Sequence, residues 1–199
     1  MDSVVELPCP VCNEEHNLIM RTHSAEIPYF GEHTQVTLMC NSCGWRQTDF
    51  IPADGVKPGG WSLCIDNMSK LSTRIVRSSS CTVCIPELDL EVNPGSSNAG
   101  YVTNTEGILV RFTEVVEMIA RDLQADGDDE VLRRCDELLA SIAAVKNGNF
   151  DHPLHIVLLD PRGRSQILHE NALPRELTAD ELESLPVGPD PATFSPDEI

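Results

Sequence analysis

Two cysteine pairs, Cys9-Pro-Val-Cys12 and Cys40-Asn-Ser-Cys43, constrain this chain more than any other feature. A CxxC turn presents two sulfurs while its backbone amides donate back to them, and zinc prefers four thiolates in a tetrahedron. Pro10 stiffens the first turn, and Gly44 supplies the positive φ that a knuckle needs after its second cysteine. The spacing predicts a zinc ribbon in which Cys9, Cys12, Cys40 and Cys43 hold one structural Zn2+. Four protein ligands leave no position for water or substrate, so such a site holds a small module together and does no chemistry. A rubredoxin-type iron centre uses the same four thiolates, and spacing alone does not separate it from zinc.

The remaining cysteines read differently. Cys81-Thr-Val-Cys84 is a third CxxC, but it lies in a β-type run, where residues i and i+3 point to opposite faces and cannot share an ion. Cys64 and Cys135 occupy apolar positions and are expected in the core. His16 and His33 fall inside the cysteine module, whose four sulfurs already complete a tetrahedral site. The N-terminus lacks a basic segment followed by an apolar stretch, and the aliphatic runs are too short to span a bilayer. The expectation is a soluble, cytoplasmic protein with its thiols reduced.

Along the chain, residues 1–52 form the expected zinc-ribbon domain, with Gln35 to Met39 as a strand feeding Cys40. Turn chemistry from Pro52 to Gly60 marks a boundary. Residues 53–175 read as a β-rich domain interrupted by two helices, over about 104–124 and 129–147. Strands are expected at Trp61–Ile65, Thr73–Val76, Thr82–Ile85 and Leu88–Val92. Thr103 and Glu106 fit a capping box at the first helix, whose stripe is Ile108, Leu109, Phe112, Val115, Val116, Ile119 and Leu123. The second helix carries Val131, Leu132, Cys135, Leu138, Leu139 and Ile142, with Gly148 closing it. A turn at Asp126 to Asp128 makes the pair an antiparallel hairpin. Leu154–Leu159, the turn Asp160-Pro-Arg-Gly163 and Ser165–Leu168 predict a β-hairpin. Residues 176–199 form an acidic segment with a short helix near Thr178 to Leu185 and a frayed end.

Charge narrows the partners. Asp and Glu outnumber Lys and Arg 32 to 14, giving a net charge of -18, and only three of the basic residues are Lys. Nucleic-acid binding needs clustered cations, yet Arg21 and Arg46 are the only ones in residues 1–52. A protein partner is favoured, and neither nucleic acid nor membrane is expected. An acidic, Lys-poor composition is also what adaptation to salt produces. Between the knuckles, Tyr29 and Phe30 stand beside Glu32 in Ile27-Pro-Tyr-Phe-Gly-Glu32. This cluster either packs on the neighbouring domain or forms a partner-binding hot spot. An enzyme or small-molecule binder built on the β-rich domain is the alternative, although residues 61–92 contain no His to place a catalytic metal.

Taken together these motifs resemble the ZPR-type zinc-finger family, the ZPR-one domain proteins. The resemblance rests on Cys9-Pro-x-Cys12, Ile27-Pro-Tyr-Phe-Gly-Glu32, Cys40-x-x-Cys43-Gly44, Ile85-Pro-Glu-Leu-Asp-Leu-Glu91, Thr105-Glu-Gly-Ile-Leu109 and Asp160-Pro-x-Gly163-x-Ser165, in that order. It implies an α+β, mainly β fold: an N-terminal four-Cys zinc ribbon followed by a jelly-roll-like domain with an antiparallel helical hairpin. Eukaryotic members carry two such units, whereas this sequence shows one and looks like the single-unit archaeal form. The implied function is binding, and assisted folding, of translation elongation factor one-alpha, with no enzymatic activity. At Cys81 and Cys84 the sequence departs from the small residues expected in the family.

Overall fold

The computed structural model describes residues 2–27, 31–52, 57–95, 99–123 and 129–187. Tyr29, Phe30, the turn at 126–128 and the end of the chain after residue 187 lie outside the described residues.

Four antiparallel strands form the N-terminal sheet in chain order: β1 (Asp2–Val5), β2 (Leu18–Ile27), β3 (Gly31–Cys40) and β4 (Arg46–Pro52). The segment between the cysteine pairs, where only the stretch before Cys40 reads as a strand, is one long hairpin, paired from Leu18–Cys40 to Ile27–Gly31. Val5, Leu18, Met20, Cys9 and Cys40 make a small core of their own, walled by Val36, Leu38 and Trp45. So small a core is marginal alone, and a cross-link among its cysteines is what the size of this sheet demands.

The rest of the chain is a two-sheet body. Its larger sheet contains β5 (Gly59–Ile65), β7 (Thr82–Ile85), β8 (Leu90–Val92), β10 (Leu154–Asp160) and β12 (Leu173–Arg175), ordered β12-β5-β10-β7-β8. The smaller contains β6 (Arg74–Arg77), β9 (Tyr101–Asn104) and β11 (Gln166–Leu168), ordered β11-β6-β9. Helices α1 (Thr105–Leu123) and α2 (Asp129–Lys146) pack against each other, and α3 (Ala179–Ser184) follows the last strand. One core unites both sheets and the helix pair: Ile65, Val83, Ile156 and Leu158 from the first sheet, Ile75 and Ile167 from the second, Leu109 and Phe112 from α1, Ile142 from α2. Period-two burial is clearest in β10, where Leu154, Ile156 and Leu158 point inward. Among the described residues no helix is long and apolar enough to cross a membrane.

Several local expectations change. Residues 154–168 are not a hairpin: β10 pairs with β5 and β7, while β11 crosses to the other sheet and pairs with β6. Both edges of β10 are occupied, so the turn after Asp160 can only send the chain elsewhere. Helix α1 is capped by Asn104, whose side chain accepts from the Gly107 amide at 2.8 Å, and Thr103 belongs to β9. A Cβ at residue 107 would collide with the Thr103 hydroxyl, which would have to turn away from this cap. Leu88 ends a short 3-10 turn and Asp89 turns left-handed at φ 55°, so the strand starts at Leu90. Val115, Ile119 and Val131 of the helical stripes are 37–42% exposed, so the buried face is narrower than the stripes suggest. Cys64 is only half-buried, since Leu63 and Ile65 take the core-facing positions of β5.

Candidate metal centre

Each cysteine pair folds as a knuckle, and the two knuckles share one geometry. The Asn13 amide donates to the Cys9 carbonyl at 2.8 Å, and the Gly44 amide donates to the Cys40 carbonyl at 3.0 Å. Beyond them, the Cys9 amide donates to the Glu14 carbonyl at 3.0 Å and the Cys40 amide to the Trp45 carbonyl at 2.8 Å. The turn closes in both cases through a left-handed residue, Asn13 at φ 58° and Gly44 at φ 75°. Asn tolerates this region better than most side chains, which is how the first knuckle closes without a glycine.

These turns bring four sulfurs together with all ligand atoms within 4.8 Å of one another. Cys9 Sγ lies 3.7 Å from Cys43 Sγ, and Cys12 Sγ lies 3.6 Å from Cys40 Sγ. A tetrahedron with Zn–S bonds of about 2.3 Å has edges of about 3.8 Å, so the sulfurs already stand at metal-coordinating separations. They span burial from Cys9 and Cys40, both buried, to Cys43 at the surface. Neither His16 nor His33 joins the group: among the described residues the cluster consists of cysteines alone. His33 is buried on β3, and His16 is an exposed left-handed residue at φ 60°.

Electrostatics at the cluster favour a cation. Burial raises the Cys9 thiol, but the Cys12 and Val11 amides and the neighbouring Cys12 and Cys40 thiols outweigh it and bring Cys9 down to about 6. At Cys12 the Glu14 amide works the same way, yet burial and the three surrounding sulfurs prevail and push it up to about 12. Cys43 also moves up, although the Trp45 amide opposes the shift. Four sulfurs this close cannot all ionise unaided, and a dication at their centre removes the conflict. The donor set fits one structural Zn2+.

The other thiols are inert by environment. Burial, with the charge of Asp160 second, pushes Cys81 up to about 12, and burial with Glu91 does the same at Cys84. Cys81 is fully buried while Cys84 is half-buried and near Glu91, so this third CxxC does not converge on a point.

Of the aromatic cluster between the knuckles, Glu32 is exposed on β3 and pairs in register with Glu26. The strands flanking residues 28–30 run ten residues from the cysteine end, a distance of roughly 30 Å. Glu32 itself therefore does not touch the cysteine cluster.

Sequence reasoning missed a buried polar seam between the N-terminal sheet and the two-sheet body. Asp49 on β4 is 3% exposed and Asp160 at the end of β10 is 1% exposed. Between them runs Ser78-Ser79-Ser80, whose hydroxyls alternate. Ser78 and Ser80 donate to Asp160 at 2.8 and 2.7 Å, whereas Ser79 donates to Asp49 at 2.8 Å. Asp160 also accepts from the Ser165 hydroxyl and from the Arg162 and Arg164 amides, and the Arg164 side chain reaches Asp49 at 3.3 Å. Beside this seam the Gly100 amide donates to the Thr48 carbonyl at 2.7 Å, locking β4 to the body. The local signals are the run of three serines and the Asp160-Pro-x-Gly163-x-Ser165 motif.

Residues 69–183, which hold most of the two-sheet body, α1, α2 and all but the last residue of α3, match the family model of the ZPR1 jelly-roll domain. The chain belongs to the ZPR1 family. A ZPR1-like protein of Pyrococcus horikoshii is 36% identical over 192 residues, covering 96% of this chain and 84% of the relative. A ZPR1-like protein of Methanocaldococcus jannaschii is 34% identical over 188 residues, 94% of this chain and 92% of the relative. The zinc finger chaperone of Schizosaccharomyces pombe is 26% identical over 164 residues, which is 80% of this chain but 34% of that protein. The ZPR1 resemblance thus extends over nearly the whole chain in archaeal relatives and corresponds to about a third of the yeast protein. The fold is that of a mainly β ZPR1 unit, with a four-Cys cluster ahead of a jelly-roll domain.

Proposed function

We propose that this chain is a zinc-stabilised protein-binding module that binds, and assists the folding of, translation elongation factor one-alpha. Cys9, Cys12, Cys40 and Cys43 are its zinc ligands, and residues 1–52, 53–175 and 176–199 are its ribbon, its β-rich domain and its acidic tail. The observation that carries the reading is the four-sulfur cluster. With every coordination position taken by the protein, the ion has a structural role and not a Lewis-acid one. The chaperone name of the yeast relative points the same way. In this reading Tyr29, Phe30 and Glu32 contribute the partner surface. The net charge of -18 favours the basic, tRNA-binding regions of the elongation factor over nucleic acid.

The test mixes the purified, zinc-loaded protein with newly translated elongation factor at modest salt. A complex or a raised refolding yield is expected. Absence of both contradicts the proposal.

A further inference from the structure

A cavity of about 190 Å³ opens between α1 and the two sheets, at the edge strands β8 and β9. Val83, Val92 and Phe112 contribute apolar wall, and Arg77, Tyr101 and Arg111 supply its polar groups. Arg77 lies at the buried side, only 2% exposed, while Arg111 stands at the exposed face of α1. The two guanidinium groups share one ring: the Arg77 carbon lies 5.5 Å and the Arg111 carbon 4.2 Å from the Tyr101 centroid.

This arrangement is electrostatically incomplete. Arg77 donates from Nη2 to the Cys81 carbonyl at 2.7 Å, but its buried Nε has no hydrogen-bond partner. Among the described residues no carboxylate forms an ion pair with either arginine. A buried guanidinium ordinarily has an anion beside it, since the desolvated charge is otherwise uncompensated. One aromatic face offsets part of that for one cation and less for two. In a chain carrying -18 overall, two arginines facing one cavity, neither ion-paired among the described residues, are the opposite of what composition would place there by chance.

We propose that this cavity binds an organic carboxylate: a small monoanion with an apolar body, held by Arg77 and Arg111. Guanidinium groups match the two oxygens of a carboxylate by parallel N–H donation. The apolar wall takes the carbon skeleton, and the volume is below that of drug-sized pockets, so the ligand is a small acid or one terminal residue of a peptide. Glu114 also lines the cavity, and its charge opposes a dianion such as phosphate more strongly than a monoanion. The site is separate from the cysteine cluster and does not rest on the elongation-factor reading.

The test follows backbone amide resonances of the full, zinc-loaded chain during titration with benzoate. Benzamide serves as the neutral isostere and inorganic phosphate as the alternative anion. Two further arms use a short peptide ending in phenylalanine, with a free or an amidated C-terminus. Saturable shifts at Val83, Val92, Tyr101 and Phe112 are expected with benzoate or with the free-acid peptide, whichever source the site serves, and not with benzamide or the amidated peptide. Arg111→Met, at an exposed helical position, should weaken that binding at least about tenfold, the loss expected for a charge-assisted contact. The proposal is overturned if neither carboxylate saturates by tens of millimolar, a range weaker than any specific site of this kind. It is equally overturned if benzamide or phosphate binds as well as benzoate, or if Arg111→Met leaves carboxylate affinity unchanged.

Discussion

Ser79 donates to Asp49 twice, from its amide to Oδ1 at 3.0 Å and from its hydroxyl to Oδ2 at 2.8 Å, joining the last ribbon strand to the jelly-roll body. The Arg164 guanidinium completes the contact at 3.3 Å. A ribbon with so small a core gains its orientation, and part of its stability, from this pin.

Asp49→Ala should therefore lower stability by about 3 kcal/mol, because it strands two buried donors of Ser79 and the Arg164 charge. The two tryptophans make the effect readable: Trp45 walls the ribbon core, and Trp61 packs on the jelly-roll core. In single-tryptophan variants followed through urea unfolding, Asp49→Ala should move the Trp45 transition to lower urea and ahead of Trp61. Unchanged, coincident transitions would show that the pin contributes nothing.

Gly44 and Gly163 both have positive φ, at 75° and 65°, but their surroundings differ. A Cβ on Gly44 meets nothing within 4 Å, whereas one on Gly163 would overlap the Lys57 carbonyl. Gly44→Ala should cost about 1–2 kcal/mol, the left-handed penalty alone. Gly163→Ala should cost clearly more, since backbone must move as well. Comparing their urea midpoints checks this, and equal costs would count against the Lys57 contact.

How much of this was legible in the sequence depends on how local each cause is. The knuckles were readable because each closes through its own four or five residues, and only their meeting is long-range. The helices were readable from their stripes, although not which positions at their far ends stay in water. The crossover after Asp160 was not readable, because Asp-Pro-Arg-Gly makes the same turn whether or not the next strand pairs with the last. What decided it was the occupancy of β10's edges by β5 and β7, strands from 69 or more residues upstream. Asp49 and Asp160 look like surface acids, since Ser79 lies 30 positions from Asp49, and Ser78 and Ser80 lie 80 or more from Asp160. Cys64 is a different case: alternation with Leu63 and Ile65 would have placed it off the core.

At the C-terminal side, Glu181 completes a capping box with Thr178 and forks with Arg175 at 2.6 and 2.8 Å. Hydrogen bonding to Arg175 and to the Thr178 amide holds its carboxyl down at about 2. A depressed carboxyl stabilises the folded form above its unfolded value of about 4.3 and loses that contribution as pH falls toward 2. Amide exchange in Ala179–Ser184 should therefore accelerate on acidification, after correction for intrinsic rates. Glu181→Gln should loosen the helix by about 1 kcal/mol already at neutral pH. Exchange that ignores both changes would rule out the capping role.

The proposed function makes the four-thiolate ion structural, holding together the module on which partner binding depends. The most direct measurement is native mass spectrometry of the chain and of Cys40→Ser, each mixed with newly translated elongation factor one-alpha. A complex carrying one zinc per chain is expected for the parent, and for Cys40→Ser a folded jelly-roll body with neither zinc nor partner. A zinc-free Cys40→Ser chain that still captures the elongation factor, or a zinc-loaded parent that captures none, would contradict it.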